Sequence, residues 1–184
     1  ISVLNEYQLN VKTPKRYWQV LLSANAKLTE GKEVSSIYEK WLKTNPYHIE
    51  PAFLLANYWT INKAPKKALN VIDSTLKRHP NNLMVYLVKM QILLKSKQLA
   101  NAKSLLKEIN KFDINEDLLA GIEGQILLLD SKFEQAIPKL KQHYRARPTS
   151  INASYLAFAL AALHYLTALS ISLTSLYEHR CSSP

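Results

Sequence analysis

Nucleophilic catalysis needs a Ser, Thr or Cys held beside a base, and a metal centre needs His, Cys, Asp or Glu at ligand spacing. The chain carries these residue types without the spacing. Its five histidines, His48, His79, His143, His164 and His179, do not fall at metal-ligand intervals, and most lie where helices are expected to end or turn. A histidine there offsets the partial negative charge of the last carbonyls. The one cysteine, Cys181, permits neither a disulfide framework nor a cysteine-based metal site. The carboxylates of "INED" (114–117) and "LDSKFE" (129–134) sit at expected helix starts, where they favour the dipole rather than general acid–base work. No G-x-S-x-G elbow, Walker loop, H-E-x-x-H or dinucleotide fingerprint occurs. No catalytic residue, metal or cofactor is expected, and the chain is not read as an enzyme.

Charge raises a second kind of chemistry. Twenty-four Lys and Arg against fourteen Asp and Glu give a formal charge of +10, which would suit nucleic acid, anionic lipid or an acidic polysaccharide. Part of that excess, however, recurs at Lys43, Lys77, Lys111 and Arg145, evenly spaced and each just before a proline or its equivalent. A cation in the last turn of a helix offsets the dipole by roughly 0.3–1 kcal/mol, so these four are read as helix-end residues. The interleaving of aromatic and basic residues that stacks and neutralises a nucleic acid strand is missing, and nucleic acid is not expected as a partner.

The elements behind this spacing come in a period of 34. Pro46 and Pro80 stand one period apart, Pro148 follows two periods later, and Ile114 fills the slot between. Ala68, Ala102 and Ala136 keep the interval, as do Ile72, Leu106 and Leu140 one turn further along the same helical face. Each unit reads as two helices. The first starts after a polar cap: Thr13 before Pro14, then Asn82, Asn115 and Ser150. Short turns such as "LTEGK", "INKAP", "KSKQ" and "LDSK" precede the second helix. Three glycines, Gly31, Gly121 and Gly124, are too few for the turns of an all-β fold. Helices this short must stack on neighbours to bury their apolar faces.

These residues resemble the tetratricopeptide repeat, a 34-residue helix-turn-helix unit. "WQVL" (Trp18, Leu21) matches its aromatic-x-x-Leu start, and "FLLANYW" places Ala56 and Trp59 in its small and aromatic slots. "FEQA" (Phe133, Ala136) and "LANA" (Leu99, Ala102) match its second-helix opening. The resemblance implies an all-α fold, a right-handed superhelical solenoid of antiparallel helix pairs. It covers four units, 15–48, 49–82, 83–116 and 117–150, after an N-terminal segment 1–14 that ends a preceding unit or caps the array. Residues 151–184 begin a fifth unit and run into an apolar tail. The first residue is Ile1 rather than methionine, which suggests a piece of a longer chain.

Some positions depart from the pattern. Leu22 and Met90 stand where the family prefers a small residue, which predicts looser packing. Lys89 and Glu123 occupy the slot that Leu21 and Leu55 fill. Either that face is rotated towards solvent or the two form an ion pair between units three and four.

The resemblance also implies a binding surface, since first-helix residues one turn apart line the concave face in this family. That face maps to Gln19 and Ser23, Phe53 and Asn57, Leu87 and Gln91, then Gln125, with Tyr155 beyond. Asn57, Gln91 and Gln125 recur once per period and would form a row of amides able to hydrogen-bond an extended backbone. Family members that bind chaperone tails clamp a terminal carboxylate with Lys, Asn and Arg. Phe53, Met84, Val88, Leu118 and Ile122 stand at the corresponding kinds of slot, and no clamp is expected.

From Ile151 to Tyr177 no charged residue occurs, a stretch long enough to cross a bilayer. Its start keeps the repeat register with Ser154, Tyr155 and Phe158, yet "HYLT" stands where a polar turn belongs and Ser170 takes the second-helix alanine slot. Three readings stay open: a capping or self-associating apolar helix, a membrane-associated helix, or an end foreign to the rest. Burial against units three and four or in a second copy is expected, because terminal repeats otherwise present a polar outer face.

The resemblance implies a non-catalytic scaffold that binds an extended peptide or protein surface in its groove. The other function class is a regulatory or positioning module of a larger enzyme or cell-envelope complex. "PAFLLANYW" and "PKKALNVIDSTLKRHPNN" are similar in style to bacterial tetratricopeptide proteins of exopolysaccharide and protein-export systems. That similarity favours the bacterial cell envelope or periplasm over the cytoplasm.

Overall fold

A computed structural model describes residues 15–28 and 33–181, with side chains left out at 16, 24–28 and 173–181. The expected cap at Thr13, the segment 1–14 and most of the turn "LTEGK" lie outside the described residues. Among the described residues every regular element is helical: α1 Lys15–Leu28, α2 Val34–Thr44, α3 Ile49–Ile61, α4 Pro65–Arg78, α5 Leu83–Lys95, α6 Leu99–Ile109, α7 Glu116–Leu129, α8 Phe133–Ala146 and α9 Ser150–Cys181. The all-α expectation holds. The chain divides into two compact units, Ile1–Ser96 and Lys97–Pro184.

In the first unit each helix packs on its chain neighbours, and α3 also packs on α5. The apolar stripe of α1 places Trp18 and Leu21 against Ile37 and Trp41 of α2, all buried. The two indoles stack with centroids 5.9 Å apart at 10°. A second cluster joins α3, α4 and α5 through Ala56, Ala68, Ile72, Val85 and Ile92. Ala68 is fully buried, and so are Ala102 and Ala136 in the second unit, so the periodic alanine row marks close helix approaches. In the companion row Ile72 and Leu140 are buried, whereas Leu106 is only half-buried and Leu105 takes the inner place on α6. Burying a side chain the size of Ile72 contributes about 1.5–3 kcal/mol. Met90 is 1% exposed rather than loosely packed, its unbranched chain filling the small-residue slot.

In the second unit α6 packs on α7, α7 on α8, and α8 on α9. Ala136 and Leu140 of α8 meet Ala159 of α9, with Tyr155 and Leu156 packed alongside. Gly121 and Gly124 let α8 lie close to α7. A Cβ on Gly121 would stand 2.6 Å from the His143 ring, and one on Gly124 would stand 2.7 Å from Leu140 Cγ.

Local chemistry sets the boundaries. Asn82 Oδ1 accepts from the Met84 amide at 3.0 Å, and Asn115 Oδ1 accepts from Asp117 and Leu118 at 3.0 and 3.2 Å, as the sequence predicts for caps. At the start of α9 the cap is Thr149, whose Oγ1 accepts from the Asn152 amide at 3.2 Å, and Ser150 is already helical. Lys43, Lys77 and Arg145 fall in last turns, but Lys111 lies beyond α6 and pairs with Glu108 at 2.6 Å. The turns between paired helices reach left-handed backbone at Lys63, Lys97 and Ser131, with φ of 55°, 57° and 58°. These three stand at the repeat interval, so the period reaches down to a single dihedral.

Lys89 and Glu123 do not pair with each other: Lys89 takes its partner from the preceding repeat and Glu123 from its own. Lys89 Nζ lies 2.7 Å from Asp73 and Glu123 lies 2.6 Å from Lys139 Nζ, with both side chains about three-quarters covered. The face has not turned to open solvent, and each charge is answered from a second helix.

The tail departs most from expectation. α9 runs unbroken for 32 residues, and Tyr155, Leu156 and Ala159, which pack on α8, lie in its first half. Residues 164–172 are all exposed, so this part of the apolar stretch is not buried against the chain's own helices.

Candidate interaction surface

The mapped face separates by unit. In the first unit Gln19 and Ser23 are exposed on α1. On α3, Phe53 is half-buried against the Ala56–Ile72 cluster, and Asn57, one turn on, is exposed. On α5, Leu87 is half-buried and Gln91, again one turn on, is exposed. Adjacent first helices therefore repeat one pattern of exposure, a half-buried apolar side chain followed one turn on by an exposed amide. The i, i+4 spacing places each pair on one helical face, and α3 packs on α5.

In the second unit the pattern changes. Gln125 is half-buried and its Nε2 donates to the Gly121 carbonyl at 3.2 Å, so this amide is engaged within α7. Tyr155 is half-buried against Ala136, Leu140 and Ala159. At the slots where a carboxylate clamp would stand, Ile122 is buried, Val88 and Leu118 are half-buried, and Met84 is 55% exposed.

Two features went unread in the sequence. His143 is buried and its Nδ1 lies 2.7 Å from the Asp117 carbonyl oxygen, in the space that Gly121 leaves open. The signal was a size exchange between positions one period apart: Phe53 with Thr75, Leu87 with Ile109, then Gly121 with His143. The other is an ionic knot in which Asp130 accepts from Lys103 and Lys132, both at 2.9 Å. The two ammonium groups hold the Asp130 carboxyl below the ordinary carboxylate range.

Open concavities lie elsewhere. One of about 390 Å³ runs between the start of α8 and α9, lined by Phe133, Leu163 and Leu166 together with Lys132, Glu134 and Ser170. Another of about 540 Å³ lies between the second helices α2 and α4, where Arg78 Nη1 donates to the Pro46 carbonyl at 3.3 Å. Among the described residues no group of three His, Cys, Asp or Glu side chains is placed to hold a metal ion.

No protein-family model and no curated protein sequence matches the chain. Among solved structures it is similar to MamA 41-end from Desulfovibrio magneticus RS-1, with 18% identity and a TM-score of 0.62 over 92% of this chain and 97% of that one. The MamA RS-1 ArsTM double mutant aligns over the same shares at 18% identity and a TM-score of 0.61. A tetratricopeptide repeat protein from Parabacteroides merdae aligns at 13% identity and a TM-score of 0.42 over 86% and 74%. With the sequence period, the buried alanine row and the successive helix pairs, the likeness to MamA gives the chain a helical-repeat fold of the tetratricopeptide type.

Proposed function

We propose that the chain is a non-catalytic interaction scaffold whose first-helix face, centred on α3 and α5, takes an extended peptide or an extended stretch of a partner protein. The observation that carries this reading is the repeated pair, Phe53 with Asn57 and Leu87 with Gln91, on neighbouring helices. Packed helices lie about 8–10 Å apart, and an extended chain advances about 3.3 Å per residue. One amide therefore meets the peptide about every third residue. Each amide offers a donor and an acceptor, which suits a peptide backbone whatever its sequence. Phe53 and Leu87 supply apolar contact beside it, while Gln19 and Ser23 extend the polar edge along α1. The acceptance is of side-chain shape and main chain, not of a terminal carboxylate.

Selection from a displayed peptide library with the intact protein provides the ligand for a test. Asn57→Ala and Gln91→Ala should each weaken a selected peptide by about 1 kcal/mol, the scale of one lost hydrogen bond, with the melting temperature unchanged because both residues are exposed. Undiminished affinity in the double variant would move the binding surface off this face.

A further inference from the structure

We propose that the groove between the second helices α2 and α4 is a second interaction surface, which takes an acidic segment of a partner protein. The segment lays apolar side chains in the groove, sets a carboxylate against Lys43 and Arg78, and brings a hydrogen-bond donor to Glu39. The groove, of about 540 Å³, mixes the two kinds of lining that such a segment needs. Its apolar members are the more covered ones, Leu55 being buried and Leu42 and Val71 half-buried. Its charged members, Glu39, Lys43 and Arg78, are exposed.

Helical spacing orders the polar lining. Asn70, Ser74 and Arg78 recur every four residues along α4, as Glu39 and Lys43 do along α2, so each helix offers one polar stripe. Arg78 Nη1 donates to the Pro46 carbonyl at 3.3 Å, which sets the Arg78 end of α4 beside the Lys43 end of α2. Two cations therefore share one end of the groove. Among the described residues neither of them pairs with a carboxylate. α4 cannot supply one: it carries Lys66, Lys67, Lys77 and Arg78 against a single acid, Asp73, which Lys89 of α5 engages at 2.7 Å. Complementarity at this end calls for an anion from another molecule.

Glu39 decides which kind of anion. It stands one turn from Lys43, about 6 Å along the axis. A uniformly anionic polymer, or a lattice of lipid headgroups, that reached Lys43 would meet a like charge one turn away. A polypeptide can change sign over that distance. Side chains on one of its faces recur about 6–7 Å apart, two residues on in a strand or four in a helix. One carboxylate and one donor at that spacing answer both ends of the α2 stripe.

The test selects from a displayed library of random peptides, with the full chain carrying Asn57→Ala and Gln91→Ala as bait, so that peptides held by the first-helix face are disfavoured. Selected peptides should combine Asp or Glu with apolar residues. Lys43→Gln with Arg78→Gln should weaken them by at least about tenfold in calorimetric titration, since hydrogen bonds to charged groups are lost. Glu39→Gln should weaken them as well. The melting temperature should hold, because all three side chains are exposed. If loss of the Pro46 bond disturbs α4, Lys43→Gln alone carries the same expectation with smaller effect. Selection of no peptide, or only of peptides without acidic residues, overturns the proposal, and so does affinity undiminished in both Lys43 variants. Tighter binding on Glu39→Gln would overturn it in favour of a plain polyanion. Flotation of the wild-type chain with phosphatidylglycerol vesicles, lost in the Lys43→Gln with Arg78→Gln variant, would overturn it in favour of a lipid surface.

Discussion

His143 shows how one residue's size is set by another on a different helix. Its ring lies under α7 because Gly121 has no Cβ, and its Nδ1 meets the Asp117 carbonyl oxygen there. In a free helix Gly→Ala would stabilise by about 0.8–1 kcal/mol. Here the added methyl would stand 2.6 Å from the ring atoms of a side chain that is buried and bonded to the Asp117 carbonyl. Gly121→Ala is therefore expected to destabilise by about 1–3 kcal/mol in urea unfolding, and Gly121→Ala with His143→Ala to recover part of that loss. A single variant as stable as wild type would mean the ring swings out without cost. The sequence placed His143 among helix-end residues, and in part that holds, since it lies in the last turn of α8. What it could not give was the neighbour, because a residue's surroundings depend on which faces meet.

Elements were legible where residue type alone sets them. Asn82 and Asn115 cap helices because a side-chain oxygen can reach two residues on, and Ala68, Ala102 and Ala136 are buried because helices approach closely there. Less legible were joins that depend on side chains from several helices. Asp130, at the end of α7, gathers Lys103 from α6 and Lys132 at the start of α8, a meeting that no sequence spacing announces. It carries a pH signature. Because the folded carboxyl titrates below its unfolded value of about 3.9, its stabilising contribution is present above that pH and is lost as pH falls through the folded value. Wild type should exceed Asp130→Asn in urea midpoint at neutral pH, and the gap should close below about pH 4. A gap that persists unchanged to stronger acid would show that ionisation of Asp130 contributes nothing to holding the three helices.

At the scale of the molecule, the sequence period was enough to give the all-helical repeat fold, because a unit that cannot bury its own apolar face must be followed by another like it. The end of the array was not legible in the same way. "HYLT" lacks a turn signal, and α9 runs straight through it, so residues 164–172, expected to be buried on units three and four or in a second copy, stand exposed in the single chain. Of the three amides one period apart, Asn57 on α3 and Gln91 on α5 are exposed, whereas Gln125 on α7 turns to its own backbone. Periodicity has one further consequence, for engineering. Lys63, Lys97 and Ser131 all hold a left-handed backbone that Asn or Gly adopts more easily. A repeat that copies its core also copies its strain, so relief can be installed once per turn. Lys63→Asn, Lys97→Asn and Ser131→Asn should each raise the denaturation midpoint, by up to about 1 kcal/mol in stability. Lying in separate repeats with no shared partner, they should sum in the triple variant. A triple no more stable than the best single would mean the turns are not independent, and that the strain belongs to the array and not to the residue.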